Sequence, residues 1–226
     1  MKTPAAAQTL ETGRTSQTTT QSSILAGTFC LLVAGVGYLL SNHLHVSAAT
    51  QLPLSWLDHA IPFWPASGWF YALQYPLLIW AFFSFDNADR RTRFLYACML
   101  MQTIAVAIFV IYPIAYPREL FPMPAETHWI NQALVNFWRT LDTPANCLPS
   151  LHVSSAALSV SAFKSGKARR FFGVSVLLAS LTAASTLTFK QHYFVDILAG
   201  LALAGFCYWL MFRRQPLSIP RNQMPS

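Results

Sequence analysis

Long apolar stretches alternate with short polar ones along most of this chain. About 20 apolar residues cross the ~30 Å hydrocarbon core of a bilayer, so stretches near that length predict membrane-spanning helices. The predicted spans are residues 23–41, 67–85, 94–115, 150–163, 171–189 and 193–212. The pattern therefore predicts an all-α fold, a polytopic membrane helix bundle with about six transmembrane helices.

The composition agrees with a membrane protein and argues against an ordinary soluble domain. Of the 226 residues, 54% are hydrophobic and only 10% are charged, whereas soluble domains carry about 25% charged residues. One membrane domain, residues 23–212, accounts for the length. Residues 1–22 are rich in Ser, Thr and Gln and are expected to form a disordered cytoplasmic tail. Residues 213–226 are expected to form a basic cytoplasmic tail.

The net charge of +7 is explained by membrane topology, so no nucleic-acid partner is expected. Lys and Arg concentrate in residues 86–93, residues 164–170 and the start of the C-terminal tail. Positive charge marks cytoplasmic connections, which places both termini inside. On this topology the basic residues left on the outer side are Arg118, Arg139 and Lys190.

The longest outer connection, residues 116–149, contains a segment with helical periodicity. Its apolar residues Ile130, Leu134 and Phe137 predict a helix over 127–141 that lies over the bundle, with Thr127 as its N-cap. A role as a lid or as a lipid-contacting element stays open at this point.

The cysteines and the remaining histidines predict no further site. Cys30, Cys98 and Cys207 lie in predicted spans and Cys147 stands alone outside them, so no disulfide framework is indicated. His43 and His45 have a spacing seen in metal sites, but no cysteine or carboxylate cluster accompanies them. No metal and no cofactor are therefore predicted.

Polar residues gather where the predicted spans reach the outer side. Arg118 closes the third span, the sequence PSLH opens the fourth with Ser150 and His152, and HYFVD opens the sixth with His192 and Asp196. Ionisable groups at membrane depth are costly, and they usually mark a functional site. We therefore expect these segments to meet at one end of the bundle.

The pair His192 and Asp196 suggests a nucleophile or a base. The two residues are four positions apart, which puts them on one face if a helix begins near Gln191. A carboxylate that holds the proton on one ring nitrogen leaves the other nitrogen with a free lone pair. A purely structural pairing of the two side chains is the alternative.

The other outer residues complete a candidate phosphate site. Histidine has an unperturbed pKa of about 6.5, so His152 can donate a proton while a second histidine is neutral. Ser150 is expected to cap the fourth span, whose N-terminus favours an anion. Arg118 and Lys190 add positive charge for phosphate, or else anchor lipid headgroups. Without a carboxylate cluster, the chemistry is predicted to be independent of metal.

The motifs resemble those of the type 2 phosphatidic acid phosphatase superfamily, whose signature is K-x6-R-P, then P-S-G-H, then S-R-x5-H-x3-D. The resemblance covers about residues 111–196, and both internal spacings of the third motif are kept. The matching residues are Arg118, Pro149, Ser150, His152, Ser185, His192 and Asp196.

The chain also departs from this signature. Ile111 and Glu119 replace the lysine and proline of the first motif, Leu151 replaces the glycine of the second, and Thr186 replaces the arginine of the third. Two phosphate-binding cations are thus missing, and Lys190 is hypothesised to supply one. We count Leu151 among the phosphate-binding positions. The pattern is similar to the inositol phosphorylceramide synthase-like branch, which includes phosphotransferases.

The resemblance implies a mechanism in which His192 forms a phosphohistidine and Asp196 orients it. His152 would protonate the leaving oxygen, while Arg118, Ser150 and Lys190 would neutralise the phosphoryl charge.

The leading interpretation is a lipid phosphatase that acts on a lipid phosphate or pyrophosphate among membrane lipids. We expect it in a bacterial inner membrane, with its site facing the periplasm. A lipid phosphotransferase is the close alternative, and a non-catalytic scaffold or transporter is a third. The sequence does not indicate an oligomeric state.

Overall fold

The computed structural model describes residue 22, residues 25–30 and residues 32–213. Most of the two predicted tails, residues 1–22 and 213–226, therefore lies outside the described residues. In the part that is described, nearly all regular structure is helical. The longer helices are α1 (Leu25–Ser41), α4 (Gln74–Ser84), α5 (Ala88–Ile111), α6 (Trp129–Leu141), α7 (Leu151–Val160), α8 (Phe172–Thr188) and α9 (Phe194–Tyr208).

Short elements connect these helices. Helices α2 (Trp56–Ala60) and α3 (Gly68–Tyr71) precede α4, and strand β1 (Thr50–Gln51) pairs in parallel with β2 (Ile114–Ala115). A π-helical turn, Trp209–Arg213, extends α9. The 3-10 turns are Pro65–Ser67, Arg118–Leu120, Ser161–Phe163 and Lys167–Phe171.

Each predicted span contains a helix, which confirms a mainly helical membrane protein. In the part of the chain that the structure describes, three helical stretches are long and apolar enough to cross a bilayer: Ala88–Ile111, Lys167–Thr188 and Phe194–Arg213. Leu25–Ser41 and Leu151–Phe163 are apolar but shorter. The number of six spans and the cytoplasmic position of the termini stay predictions.

The third predicted span, residues 94–115, is shifted toward the N-terminus in the structure. Helix α5 begins at Ala88, because the Asn87 side chain accepts a hydrogen bond from the backbone N–H of Arg90. An ion pair of 2.8 Å between Asp89 and Arg93 supports the first turns. The helix ends at Ile111, because the residue before Pro113 is disfavoured in helical conformation.

The structure of helix α6 differs in two details from the prediction. Its N-cap is His128 and not Thr127, because the helix begins at Trp129 and Nδ1 of His128 accepts the N–H of Ile130. The buried face carries Val135 and Trp138, whereas Ile130 and Phe137 of the predicted apolar stripe are exposed.

Helix α7 lies at the centre of the bundle and packs against α4, α8 and α9. Gly200 allows the closest approach of α9, since a Cβ at this position would lie 2.7 Å from the carbonyl oxygen of Ser150. Helices α4, α7 and α9 begin at the end of the bundle where α1, α5 and α8 finish. We call this the site end, because it gathers the polar motifs.

Candidate active site

The PSLH motif opens α7 at the site end. Ser150 caps the helix as predicted, with its hydroxyl accepting the N–H of Val153 at 3.4 Å. The N–H of Ser150 donates to the carbonyl oxygen of Asp196 at 3.2 Å, which ties this motif to HYFVD. His152 lies in the first turn and is buried. Two of the predicted motifs are thus in direct contact.

His192 and Asp196 pair as predicted, but through a different local structure. Helix α9 begins only at Phe194, so His192 belongs to the preceding loop. Its Nδ1 still lies 3.2 Å from Asp196 Oδ2, and the same carboxylate oxygen accepts the N–H of Tyr193 at 2.8 Å. Asp196 therefore both caps the helix and holds the imidazole.

The surroundings of His192 determine which ring nitrogen carries the proton. Nδ1 also lies 3.0 Å from the carbonyl oxygen of Cys147, which can only accept a hydrogen bond. With two acceptors at Nδ1, the proton must reside there. In the neutral ring the lone pair is then on Nε2, which is buried and has no hydrogen-bond partner among the described residues. This is the arrangement of an oriented nucleophile.

His152 provides a second imidazole near the first. The two ring centroids are 6.0 Å apart. Nε2 of His152 is likewise buried without a partner in the described part of the chain. Two unengaged ring nitrogens at this separation suit a reaction in which one imidazole attacks and the other transfers a proton.

An aromatic wall fixes the His152 ring. Tyr71 stacks on it with centroids 3.8 Å apart, and Tyr75 meets it edge-on at 6.3 Å. Trp138 of α6 packs against both tyrosines. Helix α6 therefore contributes directly to the candidate site, which its amphipathic pattern alone did not indicate.

Asp142 is a site residue that sequence reasoning missed. Its buried carboxylate accepts hydrogen bonds from the hydroxyls of Tyr38 and Tyr71. Its backbone carbonyl accepts a 2.7 Å hydrogen bond from Nη1 of Arg118. Asp142 thus connects Arg118 to the tyrosine that stacks on His152. An aspartate just beyond a surface helix carries no sequence signal for this role.

The guanidinium of Arg139 lies close to that of Arg118. No pattern in the sequence predicted that these two side chains would be neighbours. Nη2 of Arg139 donates to the carbonyl of Phe121 at 3.4 Å, and the guanidinium lies over the ring of Phe63. Burial, together with the charge of Arg118, lowers the pKa of Arg139. Among the described residues, neither arginine has a carboxylate partner. The two guanidiniums form a positive region that favours an anion.

Lys190 is buried and engaged by other parts of the protein. Its Nζ donates to the carbonyl of Asp58 at 2.6 Å and lies 4.2 Å from the centroid of the Phe121 ring. Burial lowers the pKa of this amine. The Asp58 carboxylate accepts the N–H of Phe194 at the start of α9. These contacts place Lys190 beside the site, and its binding of phosphate stays a prediction.

One group of side chains has the spacing of a metal site. Donor atoms of Cys147, His192 and Asp196 lie within 4.8 Å of one another, and thiolate, imidazole and carboxylate are all zinc ligands. However, Sγ of Cys147 donates to the Pro144 carbonyl, and burial raises the pKa of this thiol. Nδ1 of His192 is already engaged by two acceptors. Coordination by Cys147 would require its thiol to lose its proton and this hydrogen bond, and coordination through Nδ1 of His192 would require the same of the imidazole.

Comparison with known protein families finds one whose model matches the sequence of this chain. A family model described as the PAP2 superfamily matches residues 40–210, which is well over half of the chain and includes every candidate site residue. No curated protein matches the chain at a significant level.

Proposed function

The chain belongs to the PAP2 superfamily, whose members are typically phosphatases or phosphotransferases, and we propose that it is a lipid phosphatase with His192 as nucleophile. The observation that carries the proposal is the pair of acceptors on Nδ1 of His192, which leaves the Nε2 lone pair free. The second imidazole, His152, has its ring centroid 6.0 Å away. The substrate is a lipid phosphate or pyrophosphate.

The proposed reaction has two steps. In the first, Nε2 of His192 bonds to phosphorus as the bond from phosphorus to the lipid oxygen breaks, and His152 protonates that oxygen. Asp196 stabilises the positive charge that develops on the His192 ring. In the second, His152 takes a proton from water, and the resulting hydroxide displaces His192 from phosphorus.

Charge stabilisation is assigned to groups around the two histidines. Arg118, Ser150 at the N-terminus of α7, and Lys190 are the predicted contributors, and Leu151 lies beside them in the first turn. We add Arg139, since its guanidinium lies near that of Arg118 and has no carboxylate partner among the described residues. Preorganised donors of this kind stabilise the phosphoryl oxygens as the transition state forms.

Phosphotransfer to a lipid hydroxyl is the second candidate, and burial of the site favours it. His152 and His192 are only 5% and 3% exposed. A site that restricts water gives an acceptor lipid an advantage in the second step. The resemblance of the motifs to the inositol phosphorylceramide synthase-like branch points the same way. For both candidates we place the site on the periplasmic face of a bacterial inner membrane.

The test uses purified full-length protein in detergent with EDTA and a panel of lipid phosphates and pyrophosphates. Release of inorganic phosphate supports the phosphatase. A new phospholipid that forms only with an added lipid alcohol supports the transferase. If the wild type turns over no substrate and matches His192→Ala, the protein is a non-catalytic member of its family.

A further inference from the structure

Asp142 carries a negative charge at a position where the fold does not favour one. Its backbone N–H donates to the carbonyl of Trp138 at 2.8 Å, so it stands at the C-terminal end of α6. The helix dipole disfavours an anion at that end. The side chain is also buried, and within the described residues it forms no ion pair. Since a buried charge is costly unless it is paired, this carboxylate is suited to balance a positive charge that forms during the reaction.

Two tyrosine hydroxyls hold this carboxylate. Oδ1 accepts a hydrogen bond from Tyr38 of α1, and Oδ2 accepts one from Tyr71 of α3. Tyr71 is fully buried, and its ring is enclosed by Trp138 and Phe189, whose ring centroids lie 5.3 and 5.5 Å away. The position of the carboxylate relative to the Tyr71 ring is therefore fixed by contacts on both side chains.

The ring of Tyr71 also stacks on His152. The two ring centroids are 3.8 Å apart, and the planes are inclined by 29°. The face of a tyrosine ring stabilises a neighbouring cation, and a nearby carboxylate favours the charged form of an imidazole. Tyr71 thus connects Asp142 to the imidazole that donates a proton in the proposed reaction.

The second histidine makes a carboxylate near His152 valuable. The ring of His192 becomes positive when Nε2 bonds to phosphorus, and its centroid lies 6.0 Å from that of His152. Two positive imidazoles at this separation repel each other. Asp196 balances the charge on His192 directly, with Oδ2 3.2 Å from Nδ1. Asp142 is placed to do the same for His152 through Tyr71.

We propose that Asp142 is a positioning residue for the general acid: through Tyr71 it holds the His152 ring in place and favours its protonated form. The inference rests on the proposed function and adds a residue to its mechanism. Asp142 and Tyr71 keep their own protonation states throughout. The proton passes from Nε2 of His152, which has no partner among the described residues, to the lipid oxygen as its bond to phosphorus breaks.

Asp142→Asn tests this role because it removes the charge and keeps the shape of the side chain. An amide can accept a hydrogen bond from one tyrosine and donate one to the other. The backbone carbonyl of residue 142, which accepts a hydrogen bond from Nη1 of Arg118, is unchanged by the substitution. The variant therefore separates the carboxylate from the contact to the predicted phosphate-binding arginine.

Two tyrosine variants complete the set. Tyr71→Phe keeps the ring that stacks on His152 and loses only the hydroxyl that reaches Asp142. Tyr38→Phe is the matched control, since it removes the other hydroxyl from the same carboxylate while its own ring packs on Phe109. A general loss of stability at Asp142 would affect both variants, whereas a loss of the connection to His152 would affect only Tyr71→Phe.

The readout is the dependence of the rate on the leaving group. Octyl phosphate must release an alcohol that needs a proton, whereas 4-nitrophenyl phosphate releases a stable anion that leaves without one. We compare kcat/KM, which reports the step in which the leaving group departs, for purified full-length wild type, Asp142→Asn, Tyr71→Phe, Tyr38→Phe and His152→Ala. Thermal unfolding in detergent checks that each protein is folded. Inhibition by inorganic phosphate measures phosphate binding separately.

Asp142→Asn and Tyr71→Phe should lower kcat/KM for octyl phosphate by roughly tenfold or more, and for 4-nitrophenyl phosphate by less than about threefold, because only the first ester needs the acid. His152→Ala should show the same preference with a larger loss. Tyr38→Phe should affect both esters equally. The inhibition constant for inorganic phosphate should change by less than about twofold in Asp142→Asn, since the hydrogen bond to Arg118 is kept.

The outcomes distinguish this inference from the proposed function. If Asp142→Asn and Tyr71→Phe lose activity equally on both esters, or lose none, while His152→Ala still loses more on octyl phosphate, the inference is overturned and the proposed function stands. If His152→Ala also loses both esters equally, His152 is not the acid and the proposed mechanism fails as well. A wild type that consumes neither ester overturns both. If Asp142→Asn does not fold, Tyr71→Phe decides by the same criterion.

Discussion

His152 is the residue whose loss should be most informative about proton transfer. Replacing it with alanine removes the proposed general acid, so kcat should fall by about 10²–10⁴-fold. His128→Ala is the matched control, because this histidine caps helix α6 and its ring contacts Trp129 rather than a residue of the candidate site. Near-normal turnover by His152→Ala would remove His152 from the mechanism. Thermal unfolding checks that loss of the stack on Tyr71 has not unfolded the protein.

Arg139 should contribute to binding more than to folding. Arg139→Gln should raise the inhibition constant for inorganic phosphate by roughly tenfold or more, since a hydrogen bond to a charged group contributes about 1.5–3 kcal/mol. Arg139→Lys should recover only part of the affinity, because lysine lacks the planar fork of arginine. Arg170→Gln, in the basic connection before α8, serves as control. Equal inhibition constants for all four proteins would make Arg139 structural.

A substitution of Cys147 distinguishes a mechanism that needs a metal from one that does not. Burial raises the pKa of its thiol, so at neutral pH the group stays protonated and reacts slowly with maleimide. Cys147→Ser should therefore keep most of the activity, and EDTA should not inhibit either protein. Activity that EDTA abolishes and zinc restores in the wild type, but not in Cys147→Ser, would establish a metal site at Cys147, His192 and Asp196.

Among single residues, the sequence predicted the contacts between residues that are close to each other along the chain. Ser150 stands directly before an apolar helix, and this position predicts a cap. His192 and Asp196 are close enough in sequence to meet, although His192 precedes the helix. Asp142 and Asp58 act through partners that are distant along the chain, such as Tyr71 and Phe194. No local pattern predicts such contacts, because tertiary packing brings these segments together.

At the scale of elements, the packing of α9 against α7 positions both motifs. Gly200→Ala would place a Cβ 2.7 Å from the Ser150 carbonyl, so α9 must move away from α7. We expect a loss of about 1–3 kcal/mol in stability, together with reduced turnover. Thermal unfolding and a phosphate-release assay measure the two effects.

Gly205→Ala is the control for this prediction. It lies on the same helix, but a Cβ there would meet nothing within 4 Å. Alanine is more favourable than glycine in a helix by up to about 1 kcal/mol. The stability of Gly205→Ala should therefore equal that of the wild type or be slightly higher. If both variants behave alike, the close approach at Gly200 does not position the site.

Hydropathy predicted the helices well and their ends poorly. Apolar length locates a span, but an end depends on one or two capping contacts, as at Asn87 and His128. Helix α6 illustrates a second limit. Its apolar residues suit both a buried face and a lipid surface, and only packing shows that Val135 and Trp138 are the buried ones.

At the scale of the whole molecule, the bundle brings separate sequence motifs to one end. Alternation of helix direction was enough to predict that PSLH and HYFVD would meet. It was not enough to predict the cavity of about 180 Å³ beside His152, because a cavity depends on how the side chains of α1, α4, α5 and α7 fail to fill the space between them. The space beside His152 is therefore a property of the assembled bundle.

The central claim is that His192 becomes phosphorylated during turnover, and its most direct test is to trap that intermediate. Purified protein is mixed with a lipid phosphate that carries a radiolabelled phosphoryl group, quenched rapidly in base, and analysed by mass spectrometry. We predict a phosphoryl group on His192 of the wild type and none on His192→Ala. An active wild type without phosphorylated His192, or with the label on another residue, would rule out His192 as the nucleophile.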